Sequence, residues 1–269
     1  MLETINQTAS FISQKLQNKP EIGIILGTGL AGLAREINIE QVINYEDIPN
    51  FPVSTVEGHY GKLIFGTLGG KHVMAMQGRF HFYEGYSMQQ VTFPVRVMKF
   101  MGINKVFVSN ASGGINPAFN VGDLMIINDH INLLPNPLIG KHFPEFGPRF
   151  PDMSCPYDLG LIDLADKIAK ENNIEVQKGC YVGVTGPTLE TPKEYGCFRI
   201  MGGDAVGMST IPEVIVARQM NMHCFAISIV TDLGVPGKIK EVVLADILEV
   251  AQIAEPKMTL IMKKLIERM

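Results

Sequence analysis

The stretch EIGIILGTGLAG, residues 21–32, joins an apolar run to three closely spaced glycines. Its apolar part, 21–26, is short, rich in isoleucine and without polar alternation, which predicts a strand buried on both faces. Glycines directly after such a strand fit the loop at its carboxyl end, where α/β proteins bind their ligands. This stretch therefore predicts an α/β sheet with a site at its strand ends.

The rest of the chain alternates between helical and strand-like segments. Helical periodicity covers 3–17, 88–101, 157–172, 192–201, 211–220 and a tail from about residue 240, which Pro256 should interrupt. Strands are expected at 62–67, 72–77, 105–109, 124–128, 176–184 and 222–230, the first two forming a hairpin around Gly69-Gly70. This alternation and the chain length predict a single α/β domain over residues 1–269, with a mostly parallel central sheet flanked by helices.

The composition is that of an ordinary globular protein, with 46% hydrophobic and 19% charged residues. A net charge of −4 argues against nucleic acid and anionic membranes as partners. No apolar run reaches about 18 residues, and the first residues lack the features of a signal peptide, so a cytoplasmic protein is expected. The four cysteines show no C-x-x-C spacing, which predicts reduced thiols and no zinc site.

A proline-rich stretch covers residues 132–156. Proline at this density excludes a helix or a central strand, and loops of this length inside a compact domain are usually functional. The aromatic residues Phe143, Phe146 and Phe150 are unlike those of a solvated linker between domains. We therefore expect a large ordered surface loop that packs on a neighbouring subunit.

The glycines at 27–32 satisfy the pattern G-x-G-x-x-G, and Glu46 and Asp47 follow about 20 residues later, where a dinucleotide-binding fold keeps its ribose-binding acid. However, only nine residues separate Gly32 from Val42, which is short for a crossover helix and a return turn. A phosphate loop is the second interpretation, since glycines let backbone N–H groups approach an anion and Thr28 adds a hydroxyl group. A purely structural turn is the third.

Groups that suit an oxyanion follow other predicted strands. In GRFHFYEGY, residues 78–86, period-two alternation places Arg79, His81 and Tyr83 on one side. The small residues of NASGGINP, 110–117, offer backbone amides to an anion, and Ser209 precedes a predicted helix N-terminus. Two carboxylates, Glu190 and Asp232, complete the set of polar groups. The sequence contains neither a nucleophile elbow nor a metal-ligand cluster.

These segments together resemble the motif series of one enzyme family, the trimeric purine nucleoside phosphorylases. The matching motifs, in the same order, are GTGLAGL, EGHYGKL, QGRFHFYEGY, TFPVRVMKFMG, NASGGINP, VGDLMIINDHIN, RFPDMS, GPTLET and DAVGMSTIPEVIVAR. The resemblance covers roughly residues 22–231, and a sister group, the methylthioadenosine phosphorylases, shares the fold and part of the series. It implies a phosphorylase/hydrolase-like α/β fold with a distorted sheet, a homotrimer, and sites near the subunit interfaces.

Carried over by position, the resemblance implies a role for each site residue. The phosphate ligands would be Thr28, Arg79, His81, the amide of Ala111, and Ser209, with His59 near the phosphate entrance. Tyr83 and Met208 would contact the ribose, over which Phe150 of a neighbouring subunit would close. Glu190 and Asp232 would bind the purine, with Leu189 packing against its ring.

The implied reaction is the phosphorolysis of purine ribonucleosides and deoxyribonucleosides in purine salvage. The C–N bond breaks first, bound phosphate stabilises the ribosyl cation and then attacks, and the purine leaves as a developing anion. Asp232, Glu190 and His81 are the side chains expected to take part in this chemistry, which depends on positioning and electrostatics. Inorganic phosphate is a co-substrate, and no metal or organic cofactor is expected.

The chain departs from the family pattern at three positions. Thr28 stands where serine is common, which keeps the hydroxyl group. Asp232 stands where asparagine is common, and an ionised carboxylate only accepts hydrogen bonds, which favours a 6-amino purine unless Asp232 is protonated. Leu244 aligns with the histidine that binds the ribose 5′-hydroxyl, so a more apolar 5′ pocket is expected.

Other functions therefore stay open at this point. A phosphorylase that prefers adenosine or 5′-methylthioadenosine fits Asp232 and Leu244, whereas Glu190 favours 6-oxopurines that carry an N1–H. An NAD-dependent oxidoreductase built on GTGLAG is a distant alternative. A nucleoside-binding protein without catalysis is weaker still, because each expected phosphate ligand is present.

Overall fold

The computed structural model describes residues 1–27, 31–53 and 61–269. Its strands are β1 (Ile22–Leu26), β2 (Asn38–Asn44), β3 (Lys62–Leu68), β4 (Lys71–Gln77), β5 (Lys105–Gly114), β6 (Leu124–Asn132), β7 (Val176–Gly183), β8 (Ala205–Gly207) and β9 (His223–Leu233). Its helices are α1 (Leu2–Ser13), α2 (Gly32–Arg35), α3 (Met88–Val91), α4 (Phe93–Phe100), α5 (Leu159–Glu171), α6 (Pro192–Ile200), α7 (Ile211–Gln219) and α8 (Leu244–Glu267).

The strands form one sheet in the order β2-β3-β4-β1-β5-β8-β7-β6-β9. The pairs β1–β4, β1–β5, β5–β9, β6–β7 and β7–β8 are parallel. The pairs β2–β3, β3–β4, β5–β8 and β6–β9 are antiparallel. The expected α/β fold is confirmed, but the sheet is mixed rather than mostly parallel, because the predicted hairpin gains β2 at its edge and β8 runs against β5.

The distortion of the sheet comes from β5, which changes neighbours along its length. Residues 105–108 pair with β1 on one side, whereas Gly113 and Gly114 pair with β8. Its other side pairs with β9 throughout, with a register shift between Ser112 and Gly113. That pairing closes β5, β8, β7, β6 and β9 into a ring. The last residues of β5 and β9 consequently meet the short strand β8 at one place.

Most predicted elements are present, with instructive differences at their bounds. The segment 88–101 forms two helices that meet at Thr92, since Pro94 near the start of α4 lacks the N–H that a continuous helix needs. By contrast, α8 runs through Pro256 without a break. Its buried face, which includes Ala254, Met258 and Ile261, packs on the core and outweighs the hydrogen bond lost at the proline.

The proline-rich stretch is an ordered loop, as expected. Phe146 is buried between Phe100, at 5.9 Å between ring centroids, and Phe143, at 5.5 Å. The guanidinium carbon of Arg96 lies 4.1 Å from the Phe146 ring centroid. Phe146 therefore anchors the loop on α4.

The expected free thiols are found, since none of the four cysteines forms a disulfide. Within the ranges described, no helix combines the length and the apolar composition that a membrane crossing requires.

Candidate active site

One cavity lies at the point where β5, β8 and β9 end. It brings together most of the predicted site residues, namely Arg79, His81, Tyr83, Ala111, Leu189, Glu190, Met208, Ser209, Asp232 and Leu244. Its other lining residues include Gly27, Asn110, Ser112 and Gly113, which belong to the two loops predicted to bind an anion. Val206, Gly207, Thr231 and Ile247, to which the sequence analysis gave no individual role, complete the lining. The predicted ligands Thr28 and His59 lie outside the described residues.

Arg79 is the central cation of the cavity. Its side chain is 2% exposed, so its donors must find partners inside the protein. Nη1 donates to Ser209 Oγ at 2.5 Å and to Thr210 Oγ1 at 3.2 Å, and Nη2 donates to the carbonyls of Ser109 at 2.7 Å and Ile25 at 3.3 Å. These bonds fix the plane of the guanidinium group and tie β1, β5 and the start of α7 to one point.

The charge of Arg79 is balanced by Glu213 on α7. Glu213 is 3% exposed, and its Oε1 lies 3.9 Å from Arg79 Nε. Its Oε2 has no hydrogen-bond partner among the residues described. Removal of either partner of such a buried pair would leave the other without its counter-charge.

The start of α7 is built under backbone strain. Thr210, a β-branched residue, adopts φ 71°, a region that such residues rarely occupy. Its hydroxyl accepts hydrogen bonds from Arg79 and from Asn110 Nδ2, the latter at 2.8 Å. Buried hydrogen bonds thus hold Thr210 in place, so that Ser209 faces the cavity at a helix N-terminus, which favours an anion.

Tyr181 also holds Ser209 in position, through a hydrogen bond to its backbone. The backbone N–H of Ser209 donates to Tyr181 Oη at 3.4 Å. A side chain at position 207 would collide with that same hydroxyl, so Gly207 leaves the space that Tyr181 needs. The small residues of AVGMST therefore serve the geometry of Ser209 as well as that of the strand.

His81 lies beside Arg79 in the cavity. Its Nδ1 lies 3.1 Å from Glu84 Oε1, and its ring stacks on Tyr83 with centroids 4.7 Å apart. Burial lowers the pKa of His81, while the hydrogen bond with Glu84 opposes that shift. In a neutral ring that donates from Nδ1 to Glu84, Nε2 is a hydrogen-bond acceptor. Burial likewise raises the pKa of the Tyr83 hydroxyl, to about 12, so it stays a donor.

The other end of the cavity carries two carboxylates, Glu190 and Asp232. Burial raises the pKa of both. Asp232 Oδ1 accepts from Thr231 Oγ1 at 3.0 Å, which opposes the shift of the Asp232 pKa. The pKa of Glu190 is lowered in part by hydrogen bonds from its own backbone amide and from Tyr195, and raised further by the charge of Asp232. One end of the cavity is thus cationic and rich in donors, and the other is acidic.

Apolar residues close the remaining walls. Met208 lies against Gly186, where a side chain would collide with the Met208 sulfur and where φ is +61°. Leu189 and Leu244 are half-exposed at the rim, and Ile247 lies one turn beyond Leu244 on α8. The predicted apolar pocket next to Leu244 is therefore in contact with the cavity.

The glycine-rich stretch is arranged unlike a dinucleotide-binding motif. The helix after it, α2, has four residues, and β2 follows antiparallel to β3, so these elements form no crossover between parallel strands. The last glycine, Gly32, donates its backbone N–H to Glu255 of α8, and a side chain at Gly32 would collide with that carboxylate. Gly27 does line the cavity, as a phosphate loop requires.

Phe150 lies outside the cavity in the single chain. It is 88% exposed on the long loop and lines a separate hollow with Ile139 and Ile215. An aromatic side chain of this exposure is available to a second copy of the chain, but the structure of one chain leaves that role a prediction.

Sequence reasoning missed the residues that support the site from behind, including Tyr181, Tyr195, Thr210 and Glu213. One signal for Glu213 is present in the sequence, because it is the only acid within the otherwise apolar run IPEVIVA. Such an acid at a helix position that should be buried indicates a buried partner. No comparable local signal marks Tyr181 or Tyr195.

Comparison with known proteins adds independent evidence. Residues 21–267 match the model of the Phosphorylase superfamily. Purine nucleoside phosphorylase 1 of Bacillus subtilis (strain 168) is 58% identical over 233 residues, which cover 86% of each chain. The purine nucleoside phosphorylase of Rattus norvegicus is 46% identical over 236 residues, covering 86% of this chain and 82% of the rat protein.

The fold has equally close counterparts among solved structures. Schistosoma mansoni purine nucleoside phosphorylase in complex with adenosine superposes with a TM-score of 0.94 at 42% identity, covering 100% of this chain and 98% of the other. The lining of the cavity, the topology of the sheet and the sequence matches all point to one family. The chain belongs to the phosphorylase superfamily and, within it, to the purine nucleoside phosphorylases.

Proposed function

We propose that this protein cleaves purine nucleosides with inorganic phosphate, giving the free base and (deoxy)ribose 1-phosphate. The observation that carries the proposal is the polarity of one cavity. Arg79, His81 and Ser209 meet at one end, as an oxyanion requires, and Glu190 and Asp232 meet at the other, where a purine has hydrogen-bonding edges. Thr28 and His59 remain predicted phosphate ligands.

The relatives support this assignment. The Bacillus and rat proteins are named purine nucleoside phosphorylases. Solved structures of the Schistosoma mansoni enzyme contain adenosine and inosine, and one of a Schistosoma purine nucleoside phosphorylase contains guanosine. A chain with this fold and these polar groups in its cavity has what this reaction needs.

The proposed reaction depends on polar and charged groups at both ends of the cavity. The C1′–N9 bond breaks and its electron pair moves onto the purine, leaving a ribosyl cation. Phosphate held by Arg79 and Ser209 stabilises this cation and then forms the new C1′–O bond. His81 is neutral because burial lowers its pKa, and Glu84 holds its Nδ1, so in this proposal Nε2 accepts a hydrogen bond from a protonated oxygen of the phosphate.

The leaving purine is neutralised by a proton at N7, which we assign to Asp232. Burial raises the pKa of Asp232, so the carboxyl group retains a proton at higher pH than an exposed aspartate does. Asp232 in this form donates as the asparagine of the family does, which reconciles it with 6-oxopurines. Glu190 accepts the N1–H of such a base. Ionised Asp232 suits the amino group of adenine instead, so we propose a broad purine range.

A second candidate substrate class is favoured by the rim of the cavity. Leu244 and Ile247 place apolar surface on the face that α8 contributes. Leu244 is the residue expected at the ribose 5′ position. We therefore propose that 5′-deoxy and 5′-methylthio nucleosides are also accepted.

We further propose that the active assembly is a homotrimer in which Phe150 covers the sugar of a neighbouring site. The exposure of Phe150 and of Ile139 next to the same hollow supports an interface there. The anchoring of the loop by Phe146 keeps Phe150 in position to reach a second chain.

The decisive experiment is an assay of inosine, guanosine, adenosine and 5′-methylthioadenosine with and without phosphate. We expect phosphate-dependent release of the base from at least inosine and guanosine. Turnover of none of the four would refute the proposal, and equal turnover without phosphate would indicate a hydrolase. An Arg79→Ala variant with full phosphate-dependent activity would refute the assignment of the phosphate site.

A further inference from the structure

Arg96 on α4 is a buried cation that the active site does not use. It is 5% exposed and lines a second cavity, to which Gln219 also contributes. Gln219 is the last residue of α7, whereas Ser209 of the active-site cavity lies just before the start of that helix. Nine helical residues span about 13 Å, so the two cavities are separate sites.

The charge of Arg96 is not balanced by a carboxylate. Nη2 donates to the side-chain oxygen of Gln219 at 3.2 Å, Nη1 lies 4.0 Å from the sulfur of Met220, and the guanidinium carbon lies over the Phe146 ring. All three partners are neutral, and no acidic residue in the described part of the chain pairs with Arg96. Burial lowers the pKa of Arg96 to about 10, which still leaves the group charged at neutral pH. A charge buried to this extent is ordinarily paired.

Two more cations line this cavity, Lys141 and Arg149 of the proline-rich loop. Both are exposed, and neither forms an ion pair with a described residue. Arg149 Nη1 donates to the carbonyls of Leu138 and Gly140, both at 3.0 Å, which orients the guanidinium group and leaves Nε and Nη2 outside these bonds. Among the residues that the structure describes, no acidic side chain joins the lining. The cavity is therefore cationic, although the chain as a whole carries a net charge of −4.

Two glutamines hold the loop against the helices around the cavity. Gln89 Nε2 donates to the carbonyl of Ile139 at 3.3 Å, and Gln219 Nε2 donates to that of Pro148 at 3.2 Å. These bonds tie the loop to α3 and α7. The cavity has a volume of about 240 Å³, below the roughly 300 Å³ at which pockets for drug-sized ligands begin, so it suits a small ligand.

We propose that this cavity is a second anion site, which binds a small phosphate or carboxylate group between Arg96, Lys141 and Arg149. A guanidinium group offers paired N–H donors that match two oxygens of such a group, and Lys141 adds a compact charge. A bound anion would neutralise Arg96 and join α4 to the loop that carries Phe150. This site is separate from the one that holds phosphate in the proposed reaction.

The test measures phosphate binding by calorimetry, without nucleoside and in a buffer free of other oxyanions. The parent should bind two phosphates per chain, one in each cavity. Arg96→Met should lower the affinity of the second site at least about tenfold, because charge-assisted hydrogen bonds are lost. Methionine keeps much of the apolar stem of arginine and removes the charged head, so the packing on Phe146 is largely retained. Arg79→Ala should keep the second site, and the double variant should lose both.

A milder variant keeps the inference testable if Arg96→Met folds poorly. Lys141→Ala changes an exposed side chain and should weaken phosphate binding at the second site about threefold. Citrate, a carboxylate probe, should raise the melting temperature of Arg79→Ala, and the rise should be smaller in Arg79→Ala/Lys141→Ala. Arg268→Ala, which removes an arginine outside both cavities, is the matched control and should bind phosphate as the parent does.

Equal phosphate stoichiometry for the parent and Arg96→Met, with affinities within about twofold, would overturn the inference while the proposed function stood. If Arg96→Met instead weakens the association of chains in sedimentation and leaves phosphate and citrate binding unchanged, a carboxylate of a second copy occupies the cavity, and the small-anion site is overturned. Failure of the proposed function would look different. Arg79→Ala would then bind phosphate as the parent does, while Arg96→Met would still lose its site.

Discussion

Removal of the Arg79 guanidinium should destabilise the fold as well as end phosphate binding. In an Arg79→Ala variant, Glu213 would remain 3% exposed with no cation in place of the guanidinium 3.9 Å away. Breaking a buried pair by removing one partner costs about 3–5 kcal/mol of unfolding free energy. In a chain of this size, that loss lowers the melting temperature by about 10 °C.

The double variant Arg79→Ala/Glu213→Gln separates stability from function. Removing the stranded carboxylate should restore part of the melting temperature, because the uncompensated charge is gone while the hydrogen bonds of Arg79 stay lost. Phosphate-dependent turnover should stay at the level of Arg79→Ala, because the glutamine supplies no cation. Thermal unfolding and the KM for phosphate, measured on the same samples, report the two effects.

An exposed arginine provides the matched control. Arg268 pairs with Glu171 at 2.6 Å, and both side chains are partly exposed. Arg268→Ala should therefore cost less than about 1 kcal/mol. The reasoning is refuted if Arg79→Ala melts as the control does, or if Glu213→Gln fails to recover stability in its background.

Three further variants test other parts of the site. Asp232→Asn should raise the melting temperature near pH 7 and change it little near pH 3. The reason is that burial raises the Asp232 pKa, so the stability that the protonated form provides is lost as the pH rises through that pKa. A change of melting temperature that is the same at both pH values would contradict this. Gly32→Ala, whose methyl group meets the Glu255 carboxylate, should raise the phosphate KM, whereas Gly196→Ala, with open space around it, should be neutral in the same assay. Phe150→Ala should raise the nucleoside KM and leave the melting temperature of the chain nearly unchanged, since the side chain is 88% exposed; an unchanged KM would exclude its role at a neighbouring site.

The part of the site that faces the cavity could be predicted from the sequence. Each of four residues lies at the end of a strand, just after one, or just before a helix, and the structure brings them to one cavity: Arg79, Glu190, Ser209 and Asp232. The local sequence pattern was enough for this prediction, because the residues next to a strand end determine which groups face a ligand there.

The supporting residues could not be predicted, because their roles depend on contacts between distant segments. Tyr195 packs beside Gly234 and Val206, and nothing in PKEYGCFRI indicates those neighbours. Strand β2 was missed for a related reason. It is an edge strand with a mostly exposed face, so Ile43 is its only fully buried residue and no clear alternation marks it.

The predicted break in α8 was wrong because it rested on local propensity alone. Pro256 predicts an interruption, but the neighbouring Ala254 and Met258 are buried against the core, and tertiary packing decides the outcome. The mixed pairing of the sheet was likewise not predicted, because it depends on tertiary contacts. The pairing of β5 with both β8 and β9 is a long-range feature that no window of sequence contains.

The closed ring of β5, β8, β7, β6 and β9 limits how a nucleoside can enter. Three of these strands supply cavity walls, and each is hydrogen-bonded on both sides, so the walls cannot spread without breaking the ring. Among the described residues, the segments that can move to admit a nucleoside are those around Leu189 and Leu244, which carry the rim. Backbone amides of β5 and β9 should exchange with solvent far more slowly than those near the rim, and substrate should protect the rim first.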